Sequence, residues 1–246
     1  MNIVILTTDT PCHAQFVRHI AAAFKIKHVF CERERPPTPW WAEHDMDKAR
    51  DQYEVERFEC AVPFDAISWN APSQWIPDCN TYVGLIKAEK PDVVVVYGTG
   101  KLSPEVIAAC PQMFNLHGGD AERYRGLDSA LWAVYWGDFD AIAVTLHRVE
   151  PTLDTGEIVG IRKLLLRKEM RAHELRAEAA LVCNAMVGNL LDRLAEGKAI
   201  PSTPQIPGGR YFSFMPACLK SHVERKFREY ADGDNIQSLT RDGRTR

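Results

Sequence analysis

The chain opens on an unbroken apolar run, Ile3-Val4-Ile5-Leu6, the pattern of a buried strand. Residues 13–24 then place Phe16, Val17, Ile20, Ala21 and Phe24 at helical spacing, and 26–31 is a second strand-like run. Strand, helix and strand in that order predict a βαβ unit and a parallel sheet. Residues 81–90 read as a helix. Asp92-Val93-Val94-Val95-Val96-Tyr97, bounded by Pro91 and Gly98, reads as a central parallel strand covered on both faces. Ser103-Pro104-Glu105 opens a helix with Ser103 as N-cap and Pro104 in its first turn. Strands are predicted over 113–117, 141–149 and 158–166, and a helix over 127–136. A long helix over 171–194 carries Leu175, Ala179, Val182, Met186, Leu190 and Leu194 on one face and ends at Gly197. Residues 32–78 hold Pro36, Pro37, Pro39, Trp40, Trp41, Trp69, Pro72 and Trp75, and predict loops with short helices packed by aromatics. Past Gly197, prolines and Gly208-Gly209 mark a connector. It is followed by a short strand in 210–214, a last helix over 219–230 and a polar, frayed tail over 231–246. The fold class is therefore α/β, with a mostly parallel sheet in residues 1–197 and a short C-terminal extension, 198–246.

The chain has 246 residues, enough for one large domain. Its net charge of −3 sets it apart from proteins built to grip nucleic acid, which are usually basic, and no nucleic-acid partner is expected. No apolar run approaches the roughly 20 residues needed to cross a bilayer, and the start lacks the basic region of a signal peptide. The seven cysteines include no CxxC, which argues for reduced thiols in a cytoplasmic protein. Neither HExxH nor a clustered Cys/His group occurs, so no metal is expected. GxGxxG is missing after the first strand, which disfavours a nicotinamide-dependent oxidoreductase. His13, His19, His28, His44, His147, His173 and His222 read as surface or packing residues, with His147 nearest the proposed pocket.

Open α/β sheets place ligands at the carboxyl ends of their strands. One predicted strand ends Asn115-Leu116-His117-Gly118-Gly119-Asp120. Two-residue alternation puts Asn115 and His117 on one face and turns Leu116 into the core. Gly118 and Gly119 let the chain turn sharply and let a substrate approach the backbone. After the 141–149 strand, the loop from Glu150 to Gly156 can bring Asp154 beside His117. An amide, an imidazole and a carboxylate together can bind a carbonyl oxygen, stabilise an oxyanion and move a proton. No activated Ser or Cys is needed if the substrate supplies the nucleophile. The same residue types also serve as satisfied polar groups at loop starts, and the residues alone do not choose.

Taken in order, Phe114-Asn115-Leu116-His117-Gly118-Gly119, Tyr124-Arg125-Gly126, Leu131-Trp132-Ala133, Thr145-Leu146-His147 and Asp154-Thr155-Gly156-Glu157-Ile158 resemble the signature of the folate-dependent formyltransferases. That family includes glycinamide ribonucleotide, methionyl-tRNA and sugar N-formyltransferases. The resemblance implies a Rossmann-like formyltransferase fold that uses 10-formyltetrahydrofolate, with Asn115, His117 and Asp154 as the catalytic trio. It also implies a folate pocket between two loops. Tyr97-Gly98-Thr99-Gly100-Lys101-Leu102 matches the family position that lines the pterin, and Val149, Glu150 and Leu153 belong to the other wall.

Where the family often has Pro, then Ser or Gly, and then Leu-Pro, this chain has Gly118-Gly119-Asp120-Ala121-Glu122, which suggests a different acceptor. Where the purine-pathway member of that family carries a glycine-rich turn after its first strand to hold the substrate phosphate, this chain has Thr7-Thr8-Asp9-Thr10-Pro11-Cys12-His13, which lowers glycinamide ribonucleotide as acceptor. The segment after Gly197 is short for gripping tRNA. A nucleotide-linked amino sugar fits best, with Gly118, Gly119, Asp120, Tyr124, Arg125 and Trp132 as acceptor-side residues. Arg125 offers phosphate a planar fork, yet it also sits in a Tyr-Arg-Gly turn where a structural role is common. A homodimer is expected. The alternatives are another amine, such as glycinamide ribonucleotide or an amino acid derivative, and a non-catalytic folate- or nucleotide-binding module.

Overall fold

A computed structural model describes residues 1–33, 37–59 and 71–233. β1 (Ile3–Thr8), α1 (Pro11–Ala23) and β2 (Ile26–Glu32) form the first βαβ unit. They are followed by α2 (Asp45–Phe58), β3 (Ser73–Ile76), α3 (Val83–Ala88), β4 (Val93–Tyr97), α4 (Pro104–Ile107) and β5 (Met113–His117). Then come β6 (Tyr124–Gly126), α5 (Ser129–Trp136), β7 (Ala143–Arg148), β8 (Ile158–Lys163), α6 (Leu175–Ala195), β9 (Arg210–Phe212) and α7 (Ala217–Asp232). The main sheet has seven strands in the order β3-β2-β1-β4-β5-β7-β8. The pairs from β3 to β5 are parallel, and β7 and β8 join antiparallel.

Every residue of β1 and β4 is buried, because helices cover both faces of the sheet. Alternation divides the strands between two cores. Ile3, Ile5, Val93 and Val95 pack with α1 and α6, whereas Val4, Leu6, Val94 and Val96 face α3 and α4. Thr10 caps α1 by accepting from the His13 amide, with Pro11 opening the helix. Chain connections leave β1 and β4 toward opposite edges, so a crevice opens at the carboxyl ends of these two neighbours.

The reading of 32–78 as loops with short helices fails at two places. α2 runs for 14 residues behind a capping box between His44 and Asp47, and β3 pairs with β2. This helix buries only Met46, Glu54 and Phe58, so its sequence carries no apolar stripe. Pro36 and Trp69 lie outside the described residues, as do 234–246 of the tail. The helix expected over 81–90 is shorter, since Asp78 Oδ1 accepts from the Asn80 and Thr81 amides and holds those residues in a turn. The one expected from 127 starts at Ser129, after Asp128 adopts a left-handed backbone with φ of 51°. Ahead of it, β6 pairs in parallel with β9, so the segment after Gly197 returns to the edge of the crevice.

Candidate active site

A cavity of about 500 Å³ occupies the crevice. Asn115 and His117 project into it from the end of β5, and Asp154 reaches it from the loop between β7 and β8. Asp154 adopts φ of 53°, a left-handed turn that a short polar residue tolerates. Its Oδ2 accepts from the Gly126 amide at 2.8 Å and lies 3.4 Å from His117 Nδ1. The other His117 nitrogen, Nε2, is 2.7 Å from the Tyr124 carbonyl oxygen. Both ring nitrogens therefore face oxygen atoms.

His147 completes the cluster and corrects the packing reading of that residue. Its Nδ1 donates to the Arg148 carbonyl at 2.7 Å, and its Nε2 lies 3.0 Å from Asn115 Nδ2 and 3.5 Å from Asp154 Oδ1. The second Asn115 amide hydrogen faces Asp154 Oδ1 at 3.5 Å. Asn115, His117 and His147 thus converge on one buried carboxylate, and the amide of Asn115 is fixed with both hydrogens toward the cluster.

Burial alone would raise the Asp154 carboxyl. His117, His147 and the Gly126 amide outweigh it and bring the pKa down from 3.8 to about 2. A carboxylate whose pKa is depressed in the fold stabilises it above its unfolded pKa and loses that contribution as pH falls through the folded one. Asp154 should therefore contribute about 2 kcal/mol of stability near neutrality, lost between roughly pH 5 and 2. Urea unfolding across that range is expected to show a shallower acid decline for Asp154→Asn than for the parent protein. Parallel declines would show that the carboxylate is not coupled to the fold.

All nine residues read as folate-side lining, from Tyr97 to Leu102 together with Val149, Glu150 and Leu153, border the cavity. Gly98 has φ of 86°, and a Cβ there would lie 2.4 Å from His13 Nε2, so only glycine fits. Glu32, buried at the end of β2, holds the loop from below by accepting from Gly100 N at 2.7 Å and Cys79 N at 2.9 Å. The sequence gives no sign of this anchor, because Glu32 meets Gly100 only through strand order.

On the acceptor side, Gly118 borders the cavity, and Gly119, Asp120, Tyr124, Arg125 and Trp132 do not. Asp120 accepts from Arg123 Nε at 2.7 Å and from the Glu122 amide at 3.0 Å. Arg125 donates to Ala121 O and to Gln205 Oε1, each at 2.8 Å. Gln205 in turn donates to the carbonyls of Asp154 and Gly156 at 2.9 and 2.8 Å. Arg125 therefore positions the Asp154 loop from behind. Tyr124 and Trp132 stack on Phe212 of β9. The sequence reading missed His13, Asp47, Arg50, His173 and Arg176, all of which border the cavity. Among the described residues no group of three or more His, Cys, Asp or Glu side chains is placed to hold a metal ion, and no helix is long and apolar enough to cross a membrane.

Residues 44–180 match the formyl transferase family. A methionyl-tRNA formyltransferase from Ralstonia nicotianae is 29% identical over 125 residues, which are 50% of this chain and 38% of that protein. The chain thus covers well under half the length of this curated relative. Among solved structures, a 4-N formyltransferase from Francisella tularensis superposes with a TM-score of 0.62 at 13% identity, covering 99% of this chain and 95% of the other. The formyltransferase PseJ from Anoxybacillus kamchatkensis, solved with UDP-4,6-dideoxy-4-formamido-L-AltNAc and tetrahydrofolate, gives 0.53 at 17% identity and 90% of each chain. At these identities the structural likeness is one of fold.

Proposed function

Because this chain belongs to the formyl transferase family, we propose that it transfers a formyl group from 10-formyltetrahydrofolate to the amino group of a nucleotide-linked amino sugar. The observation that carries the reading is the meeting of Asn115, His117 and Asp154 at a cavity bordered by the loops that follow β4 and β7. At about 500 Å³ the cavity is of small-molecule size. The pocket fits its ligand in kind: Val96, Leu102 and Val149 give it apolar walls, and Gly98 and Gly100 border it without side chains. The acceptor class is supported by the Anoxybacillus protein, whose structure holds a formamido sugar on UDP beside tetrahydrofolate.

The reduced folate supplies the formyl group: the acceptor nitrogen bonds to the formyl carbon, the bond from that carbon to folate N10 breaks, and one amine proton passes to N10. Asn115 exchanges a bond within the cluster for one to the formyl oxygen and holds it. His117 exchanges its bond to Tyr124 O for a donation to the same oxygen as negative charge builds there. Asp154, ionised throughout the neutral range, faces His117 Nδ1 at 3.4 Å; once His117 has given its Nε2 proton to the oxyanion, that nitrogen takes one amine proton and passes it to N10, and the hydroxyl proton returns to it as the carbonyl reforms.

Purified protein with 10-formyltetrahydrofolate and a panel of amines tests the reading by tetrahydrofolate release. The panel holds nucleotide-linked amino sugars, glycinamide ribonucleotide and charged initiator tRNA. Release driven by an amino sugar is the expected result. Release with another amine alone would replace the acceptor, and release without any amine would make the protein a hydrolase. Folinic acid binding without release from any member would favour a binding module.

A further inference from the structure

The cavity extends to a wall built from α2 and the start of α6, where Arg50 and Arg176 stand. Each guanidinium is held by carboxylates. Arg176 Nε and Nη2 grip the two oxygens of Glu54 at 2.5 and 2.7 Å, and Glu54 has no exposed surface. Arg50 Nη1 meets Asp47 Oδ1 at 2.9 Å, and its Nε donates to Asp51 Oδ1 at 2.9 Å. Arg176 Nη2 lies 3.2 Å from that same Asp51 oxygen. Two planar cations thus meet on a single carboxylate oxygen, while Arg176 Nη1 takes part in none of these bonds. Asp51 and Glu54 do not border the cavity, and Asp47, which does, is paired with buried Lys220 at 2.7 and 3.0 Å. The cluster balances in number of charges, and of its six charged groups Arg50, Arg176 and the Lys220-paired Asp47 border the cavity.

Resting on the reading of this site as a formyltransferase with a nucleotide-linked acceptor, we propose that Arg50 and Arg176 are the specificity-determining residues that bind the acceptor's diphosphate. Two adjoining phosphoryl groups require two adjoining cations, and a guanidinium fork matches phosphoryl oxygens with paired N–H donors. Anchoring by Glu54, Asp47 and Asp51 fixes both forks before ligand arrives, which reduces the ordering cost of binding. A free amine lacking phosphate gains nothing from this wall.

The test is binding, measured by titration calorimetry with uridine and thymidine diphosphate as probes of one pocket and folinic acid as the probe of the other. Arg50→Gln is expected to weaken nucleoside diphosphate binding at least tenfold and to leave folinic acid unchanged. Asp51→Asn keeps an oxygen acceptor but removes a negative charge beside the forks, so it is expected to tighten the same binding two- to threefold, a change that a merely structural role would not produce. Equal diphosphate binding by parent and Arg50→Gln overturns the proposal, as does folinic acid being the ligand weakened. Weaker diphosphate binding in both variants would mark the cluster as scaffold and overturn it as well. If the parent protein binds folinic acid but neither nucleoside diphosphate, the diphosphate site alone fails. If it binds neither ligand class, the formyltransferase reading fails first.

Discussion

Asp154→Asn is expected to lower turnover by about a hundred- to ten-thousandfold, the range over which a positioned acid–base group contributes, with the fold and folinic acid affinity retained. The carboxylate has four polar neighbours, the Gly126 amide and the side chains of Asn115, His117 and His147, and an asparagine cannot serve them all. Its remaining oxygen can keep the Gly126 amide or face Asn115, whereas the new NH2 group has to point at a donor or compete for His147 Nε2. More important is the lost charge. A carboxylate with a pKa near 2 stays ionised at any pH where the enzyme would work, and it is 3.4 Å from His117 Nδ1. Without it the negative charge facing that nitrogen is gone. His117→Ala should cost a similar factor by removing the donor itself. The two losses should not add in the double variant, because both residues act as one pair. Circular dichroism and folinic acid titration confirm that each variant is folded and loaded. Parent-like turnover in either single variant would remove this cluster from the reaction.

The parts of this architecture that were legible in the sequence are those where burial is two-sided. Val93 to Val96 is an unbroken apolar run because helices cover both faces of β4, and such a run has few other readings. α2 was not legible, for the opposite reason. It buries a glutamate and two apolar residues, and its surroundings of Pro and Trp look like loop. β6 and β9 have three residues each and exist only because they meet, across more than eighty positions of sequence. The catalytic candidates were read from β5 alternation and from the ordered blocks that carry the family resemblance. The supporting contacts were not. Gln205 is one glutamine among prolines, and it positions the Asp154 loop only through an arginine eighty residues earlier. His147 was set aside as packing because its role depends on the antiparallel register that sets it opposite Asn115.

The pairing of Glu54 with Arg176 makes a demand on stability that is separable from the ligand role of the arginine. Arg176→Ala is expected to destabilise the protein by about 3–5 kcal/mol, because it leaves a carboxylate with no exposed surface and no counter-ion. For a chain of this length that corresponds to a fall in Tm on the order of 10 °C. A buried ion pair can often be exchanged for apolar residues of similar volume with little loss. Arg176→Met with Glu54→Leu should therefore recover most of the lost stability. It should not recover nucleoside diphosphate binding, because the planar fork on the cavity wall is gone. Calorimetric Tm and diphosphate affinity measured on both variants separate the two roles. A double variant that is as unstable as Arg176→Ala would mean that the ion pair itself holds α2 to α6. One that binds diphosphate like the parent protein would mean that the arginine faces the cavity without serving it.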